Sequence, residues 1–118
     1  MNTQPQPNES LPVDRASALS DLVAVAEGAI VSRVLARTKG GSVTLFAFDR
    51  GQQLSEHTAP FDALVQVVDG ELELTIGGTA VPVGAGEVVV MPADVPHAVL
   101  AVQASRMVLT MLRGTTEE

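Results

Sequence analysis

The sequence predicts an all-β domain, and three observations lead to this prediction. Turn signals made of glycine, proline and aspartate recur at short intervals from Gly40 to Pro96, and the runs between them have the length of strands. One run, Glu71–Ile76, alternates polar and apolar residues, which is typical of a half-buried strand. Helical periodicity is weak and confined to one short segment. Many short strands with little helix indicate a β-sandwich or β-barrel.

The N-terminal part of the chain differs in texture from the rest. Residues 1–17 are polar and contain three prolines in the first 12 positions, so we expect a flexible arm that buries too little apolar surface to fold. Residues 14–26 carry a weak helical pattern, with Leu19, Leu22, Val23 and Ala26 on one face and Ser17 or Ser20 as a cap. We place the β-barrel domain at residues 18–113 and a flexible C-terminal tail at 114–118.

The strands are predicted from the turn signals. A first strand runs from Ile30 to the glycine turn at 39–41, with Arg33, Leu35 and Arg37 sharing one face with Val31. Two turn pairs, Asp69-Gly70 and Gly77-Gly78, suit tight hairpins. The remaining predicted strands are residues 42–48, 63–68, 71–76, 87–91, 98–102 and 107–112.

Composition and charge exclude several classes of function. The chain has 118 residues, no cysteine, three aromatic residues and a formal net charge of −7. A disulfide, a thiolate metal site or a cysteine nucleophile is therefore excluded. The acidic balance and the scarcity of aromatic faces argue against a nucleic-acid partner. With no signal-peptide pattern and no long apolar run, we expect a cytoplasmic protein without a membrane partner.

The two histidines are the candidate site residues, and each lies in a motif with a defined spacing. His57 lies six residues after Gly51 and thirteen before Gly70. His97 lies eleven residues after Gly86 and five after Pro92. Two such strings, separated by the glycine-rich hairpin at residues 71–85, resemble the paired motifs of the small, single-domain cupins. The first cupin motif is G-x5-H-x-H-x3,4-E-x6-G, and the second is G-x5-P-x-G-x2-H-x3-N.

The resemblance covers roughly residues 31–112 and implies a fold and a site. The fold would be an RmlC-like jelly roll, a double-stranded β-helix, whose two motif strands face one interior. In similar proteins three histidines and a carboxylate hold one ion. The resemblance thus implies that His57 and His97 are metal ligands and catalytic residues, with Fe, Mn, Ni, Cu or Zn as the divalent metal ion and a small-molecule ligand in the barrel. Similar cupins commonly pair through their outer sheets, so we also expect a homodimer.

The sequence departs from that pattern at the ligand positions. Ala59 stands where the second histidine belongs and Ala63 where the carboxylate belongs; Asp94 replaces the motif glycine and Ala101 the asparagine. Catalytic zinc sites usually keep three protein ligands. Replacements for the missing ligand are Glu56, Asp62 and Gln66; strand alternation points Glu56 and Gln66 outward, whereas Asp62 precedes its strand and is free to turn inward.

Several functions stay open at this point. The pair of histidines fits a metal site completed by water, a metal-free hydrogen-bonded pocket, or a general acid and base. The leading hypothesis is a cupin that binds a divalent metal, a small ligand or both, as in metal-dependent oxygenases and isomerases. The alternative is a non-catalytic ligand-binding or sensor-type cupin that has lost its metal cage, and a pure dimerisation module is the third. The motif strands lack lysine and arginine, so we expect no charge partner for a strongly anionic substrate on them.

Overall fold

The fold is two antiparallel β-sheets packed face to face. The computed structural model describes residues 11–114. One sheet has five strands in the order β1-β2-β9-β4-β7, and the other has four in the order β3-β8-β5-β6. The elements are α1 (Leu19–Leu22), β1 (Ile30–Thr38), β2 (Gly41–Phe48), β3 (Gln53–His57), β4 (Asp62–Asp69), β5 (Glu71–Ile76), β6 (Thr79–Gly84), β7 (Val88–Met91), β8 (His97–Ala101) and β9 (Ser105–Leu112).

The two sheet orders correspond strand by strand. The chain connects β2 directly to β3, β8 to β9, β4 to β5, and β6 to β7, and the members of each pair occupy matching places in the two sheets. Short connections therefore repeatedly carry the chain from one sheet to the one facing it. This arrangement is a jelly roll, and it confirms the predicted all-β fold class.

All the predicted strands are present, and two further strands complete the sheets. Both additional strands, β3 and β6, are edge strands of the four-stranded sheet. β3 is short and largely exposed, so it lacks a clear apolar alternation. β6 contains Pro82, a residue that a sheet tolerates on an edge strand because the missing N–H is not needed there.

The glycine turn at Gly70 is a crossover between the sheets, so the predicted hairpin at Asp69-Gly70 is wrong. β4 and β5 flank this turn but belong to different sheets. Gly70 has a φ of 86°, and a Cβ at this position would overlap the Ser105 side chain and the Ala104 carbonyl. Glycine is therefore required here for close approach to another strand. The other predicted hairpin is confirmed, because residues 77–78 join the paired strands β5 and β6.

The segment before β1 packs on the outer face of the five-stranded sheet. Its helix has only four residues, begins after Ala18 and has no side-chain cap, so the predicted caps at Ser17 or Ser20 are wrong. Val23 lies 5% exposed beside Leu45, and Arg106 donates from Nε to the Val23 carbonyl at 2.9 Å. Within residues 11–114 no helix has the length and apolar character needed to cross a membrane.

The terminal predictions lie mostly outside the described residues. The predicted flexible arm at residues 1–17 includes residues 1–10, and the predicted tail at 114–118 includes residues 115–118, none of which the structure describes. The proposed division into an arm, a domain at 18–113 and a tail stays a prediction. So does the homodimer, for which the outer face of β7 offers the exposed Val88 and Val90.

The core lies between the sheets. The buried members of the inner cluster are Phe48, Ala63, Val65, Val67, Leu72, Leu74, Val83, Met91, Val99, Ala101 and Met107. At one end of the sandwich β3, β5, β7 and β9 finish while β2, β4, β6 and β8 begin. We call this the histidine end, because His57 closes β3 and His97 opens β8 there.

Candidate functional site

A β-bulge brings His57 to the inner face of its sheet. In the pairing of β3 with β8, Leu54 lies opposite Val99 and His57 lies opposite His97, with a shift of register between the two pairs. Leu54 packs against the core, and simple alternation would turn a residue three positions later outward. The extra residue in the bulge reverses this parity. His57 therefore shares the inner face with Leu54 while it stays exposed at the sheet edge.

His97 occupies the more buried position of the pair. It is the first residue of β8, is only 4% exposed, and has Ile76 of β5 as its partner on the other side. The next inward residue on the same strand is Val99, which is 2% exposed. His97 thus ends an apolar row and has its ring at the boundary between the core and the histidine end.

The two imidazole rings meet through their Nε2 atoms, which are 3.2 Å apart. The ring centroids are 4.4 Å apart with an interplanar angle of 74°. His57 places Nδ1 2.9 Å from the Ser55 carbonyl oxygen, and His97 places Nδ1 3.1 Å from that of Val95. A carbonyl oxygen only accepts hydrogen bonds, so each Nδ1 carries the proton. In the neutral rings both Nε2 atoms are therefore unprotonated, and they lie 3.2 Å apart.

A positive species beside the two Nε2 atoms would make their contact favourable. Two unprotonated nitrogens at this distance repel, whereas a proton on one of them or a shared cation makes the contact favourable. Two imidazoles on one tetrahedral zinc, with Zn–N bonds of about 2.0–2.1 Å, have nitrogens about 3.3 Å apart. The observed separation fits two nitrogen ligands of one ion. The backbone hydrogen bonds at Nδ1 are the interaction that fixes ring orientation and tautomer in metal-binding histidines.

The environment of His97 favours its neutral form. Burial lowers the pKa of His97 from its ordinary value of 6.5; the hydrogen bond with the Val95 carbonyl opposes this change, and repulsion from His57 adds to it. A neutral imidazole is the form that binds a metal ion. Burial at this position thus favours the ligand-competent state over the imidazolium.

Two hydrogen bonds hold together the loops that carry the histidines. The loop after His57 includes Ala59, whose carbonyl accepts from the Asp94 N–H at 2.8 Å. The Asp62 carboxylate accepts from the Ala93 N–H, also at 2.8 Å. Both contacts join residues 58–62 to the loop at 92–96. They fix the spacing of the strand end at His57 and the strand start at His97.

Asp94 explains one departure from the cupin motif. It has a φ of 65° and is the one non-glycine residue with positive φ among the described residues. This position requires the left-handed conformation that glycine adopts without strain, and aspartate is one of the few other residues that tolerate it. The replacement of glycine by Asp94 therefore preserves the turn that leads into His97.

The structure brings together only the two predicted histidines. Ala63 is 5% exposed in the core, while Glu56 and Gln66 are exposed, as strand alternation predicts for the latter two. The suggestion that Asp62 completes the site is wrong, because its carboxylate instead holds the Ala93 N–H. No cluster of three His, Cys, Asp or Glu residues suited to a metal ion occurs within residues 11–114. The remaining ligands of an ion at this site would come from water or a bound small molecule.

The comparisons with known proteins agree with this fold. The model of the cupin domain family matches residues 44–113, more than half of the chain. The chain therefore belongs to the cupin domain family. No curated protein matches the sequence significantly.

Several solved structures are similar along nearly the whole chain. A conserved protein of unknown function from Streptococcus pyogenes is 31% identical, with a TM-score of 0.85 over 90% of this chain and 93% of that one. A cupin superfamily protein from Desulfitobacterium hafniense is 26% identical, with a TM-score of 0.83 over 88% and 95%. An RmlC-like cupin from Desulfovibrio desulfuricans is 25% identical, with a TM-score of 0.73 over 83% and 95%. These similarities confirm the RmlC-like cupin prediction and assign no reaction to this chain.

Proposed function

We propose that this cupin-domain protein binds one divalent transition-metal ion between His57 and His97, and that small oxygen-donor ligands complete the coordination. The observation that carries the proposal is the pair of Nε2 atoms 3.2 Å apart, each on a ring whose Nδ1 donates to a backbone carbonyl. Imidazole nitrogens suit Zn, Cu, Fe and Ni. With alanines at the other two ligand positions, most of the coordination sphere is open to water or substrate.

The open positions define what the site contributes chemically. A bound ion would polarise an oxygen-containing ligand as a Lewis acid and lower the pKa of a bound water. The chain itself fixes both ring orientations through Ser55 and Val95. His57 is exposed and His97 is buried, so a ligand would approach from the side of His57. An oxygenase or isomerase activity fits such a site, and the fold does not choose between them.

Calorimetric titration of chelator-treated protein tests the proposal. We expect one Zn²⁺ or Ni²⁺ per chain, with affinity at least about tenfold weaker, or about 1.4 kcal/mol, in either His57→Ala or His97→Ala. Glu56→Gln is the matched control, because this exposed carboxylate neighbours His57 without joining the pair, and its affinity should equal that of the wild type. Binding that survives in the double histidine variant would refute the proposal.

The second candidate is a metal-free ligand-binding cupin, and the alanines at positions 59 and 63 favour it. In that case the two Nε2 atoms share a proton, and one ring is an imidazolium. Nitrogen NMR of the histidine rings separates the two functions, since a shared proton gives one protonated Nε2 whose signal is unchanged by added Zn²⁺. If Zn²⁺ shifts both Nε2 signals together, the metal-free function is excluded.

A further inference from the structure

The last inward-facing rows of the two sheets lie opposite each other at the histidine end. In the four-stranded sheet this row runs across β3, β8 and β5 and consists of His57, His97 and Ile76. In the five-stranded sheet the row runs across all five strands and consists of Arg37, Ser42, Met111, Ala63 and Met91. Ala63 and Met91 belong to the inner cluster and Met111 packs against it. The histidine pair therefore faces a row that contains two thioethers.

A second β-bulge puts Arg37 in this row. The register of β1 with β2 shifts between Val34 and Ala36, and Arg37 pairs with Ser42. The predicted single face for Arg33, Leu35 and Arg37 is therefore wrong, because the bulge moves Arg37 to the opposite face. Arg37 is exposed on the edge strand β1, so the central positions of the row, on β9 and β4, are uncharged.

Met111 is the methionine that lies across the sandwich from His97. Strands β8 and β9 occupy matching places in the two sheets, so the last inward residue of β9 lies opposite the first inward residue of β8. Sheets packed face to face are about 10 Å apart, a gap that a histidine and a methionine side chain together can span. Met91 lies in the same row but two strands farther along the sheet. Met107 shares the face of Met111, but it lies deeper in the core and is 1% exposed.

Met111 also lies beside the position that the cupin motif gives to a carboxylate. It pairs directly with Ala63, the residue that replaces this carboxylate and has no donor atom. Methionine is unbranched, and its three rotatable bonds let the sulfur adapt to a neighbouring group. Met111 is only partly buried, so its side chain is placed at the mouth of the barrel, as His57 is.

We propose that the Met111 thioether is a third protein ligand at the histidine site and that it makes this site bind Cu(I). The inference rests on the proposed function, because it requires His57 and His97 to hold an ion. Thioether sulfur is a soft donor that selects Cu(I), whereas imidazole suits Zn²⁺ as well. Zn²⁺ is therefore held by the two histidines and oxygen ligands, and Cu(I) by the two histidines and Met111.

The charge of the site agrees with a monovalent ion. Two neutral imidazoles and a thioether bring no negative charge, and no cluster of three His, Cys, Asp or Glu residues suited to a metal forms within residues 11–114. His97 is 4% exposed, and the free energy needed to bring an ion into such a low-dielectric place rises with the square of its charge. Cu(I) thus meets a smaller desolvation penalty here than a divalent ion does.

Competition for Cu(I) against bathocuproine disulfonate, in the absence of oxygen, tests the inference on chelator-treated protein. Met111→Leu is a volume-conserving substitution that a core tolerates. It should weaken Cu(I) binding at least about tenfold and leave the affinity for Zn²⁺ equal to that of the wild type. Met107→Leu is the matched control, because it removes a thioether from the same strand and the same face. It should bind both ions as the wild type does.

X-ray absorption at the copper edge gives a second readout. The chain has no cysteine, so a sulfur atom bonded to copper belongs to a methionine. We expect this sulfur in the wild type and in Met107→Leu, and its loss in Met111→Leu. The inference is overturned if the wild type shows no sulfur, if the sulfur persists in Met111→Leu, or if Met111→Leu weakens Zn²⁺ binding as much as Cu(I) binding. Each of these results leaves the proposed function standing as long as the wild type binds Zn²⁺, whereas a wild type that binds neither ion refutes both.

Discussion

The substitution Asp62→Ala tests how the histidine loops are held. Within residues 11–114 the Asp62 carboxylate is the one acceptor of the Ala93 N–H, at 2.8 Å, and both groups are partly buried. Removal of the carboxylate leaves that N–H without a partner in the loop that leads to His97. We expect lower stability and an unchanged set of metal ligands.

The expected loss follows from this single contact. A hydrogen bond to a charged group contributes about 1.5–3 kcal/mol, and partial exposure of Asp62 lets water replace some of it. We therefore expect the free energy of unfolding to fall by about 1–2 kcal/mol. For a domain of this size that corresponds to a decrease in melting temperature of roughly 5–10 °C.

Urea unfolding followed by circular dichroism measures this change. Asp62→Asn is the matched control, because its amide oxygen still accepts from Ala93, and it should lose less than half as much stability. A difference of less than about 0.5 kcal/mol between Asp62→Ala and the wild type, the range of neutral surface substitutions, would refute the reasoning. Metal affinity is the second readout: a loss as large as that of His57→Ala would make Asp62 a ligand after all.

Three further predictions concern the same elements. Asp94→Gly should raise the free energy of unfolding by about 0.5–1 kcal/mol, because glycine relieves the left-handed strain at a small entropic cost; an unchanged or lower value in urea unfolding would contradict this. Ser105→Ala should lower the free energy of unfolding by about 1–3 kcal/mol, because the fully buried Ser105 hydroxyl accepts from the Glu71 N–H at 2.9 Å. A melting temperature equal to that of the wild type would contradict this prediction. In metal-free protein, burial lowers the pKa of His97 from 6.5. The unfolded chain therefore binds the proton more tightly than the folded protein does. The free energy of unfolding should fall as the pH decreases from 6.5 through the pKa of His97 in the folded protein. The His97→Ala variant should lack this part of the pH profile, and a profile identical to the wild type would refute the assignment.

The fold could be predicted because the turn signals and strand alternation agree along most of the chain. Glu71–Ile76 is an example, since its Leu72 and Leu74 are fully buried. The paired histidine motifs strengthened the prediction with a spacing that a jelly roll explains. The hairpin predicted at Gly70 failed because a glycine turn looks the same in sequence whether it joins paired strands or crosses between sheets.

The site was predicted less completely, and β-bulges are the physical reason. A bulge changes which face a residue occupies without leaving a signature in the sequence. Regular alternation would place His57 on the outer face, opposite to Leu54. It would also place Arg37 on the same face as Arg33, whereas the register shift in β1 puts them on opposite faces. The direct contact between the two imidazoles depends on one such bulge, so the motif spacing indicated a shared interior but not this contact.

The proposed function requires that one ion be held by both His57 and His97. Anomalous diffraction from crystals grown with Zn²⁺, recorded on both sides of the zinc edge, tests this most directly. We predict one peak that is bonded to both Nε2 atoms at about 2.0–2.1 Å, with the remaining positions filled by water or buffer oxygens. An empty site between the rings at saturating Zn²⁺, or a peak bonded to one histidine alone, would contradict the account.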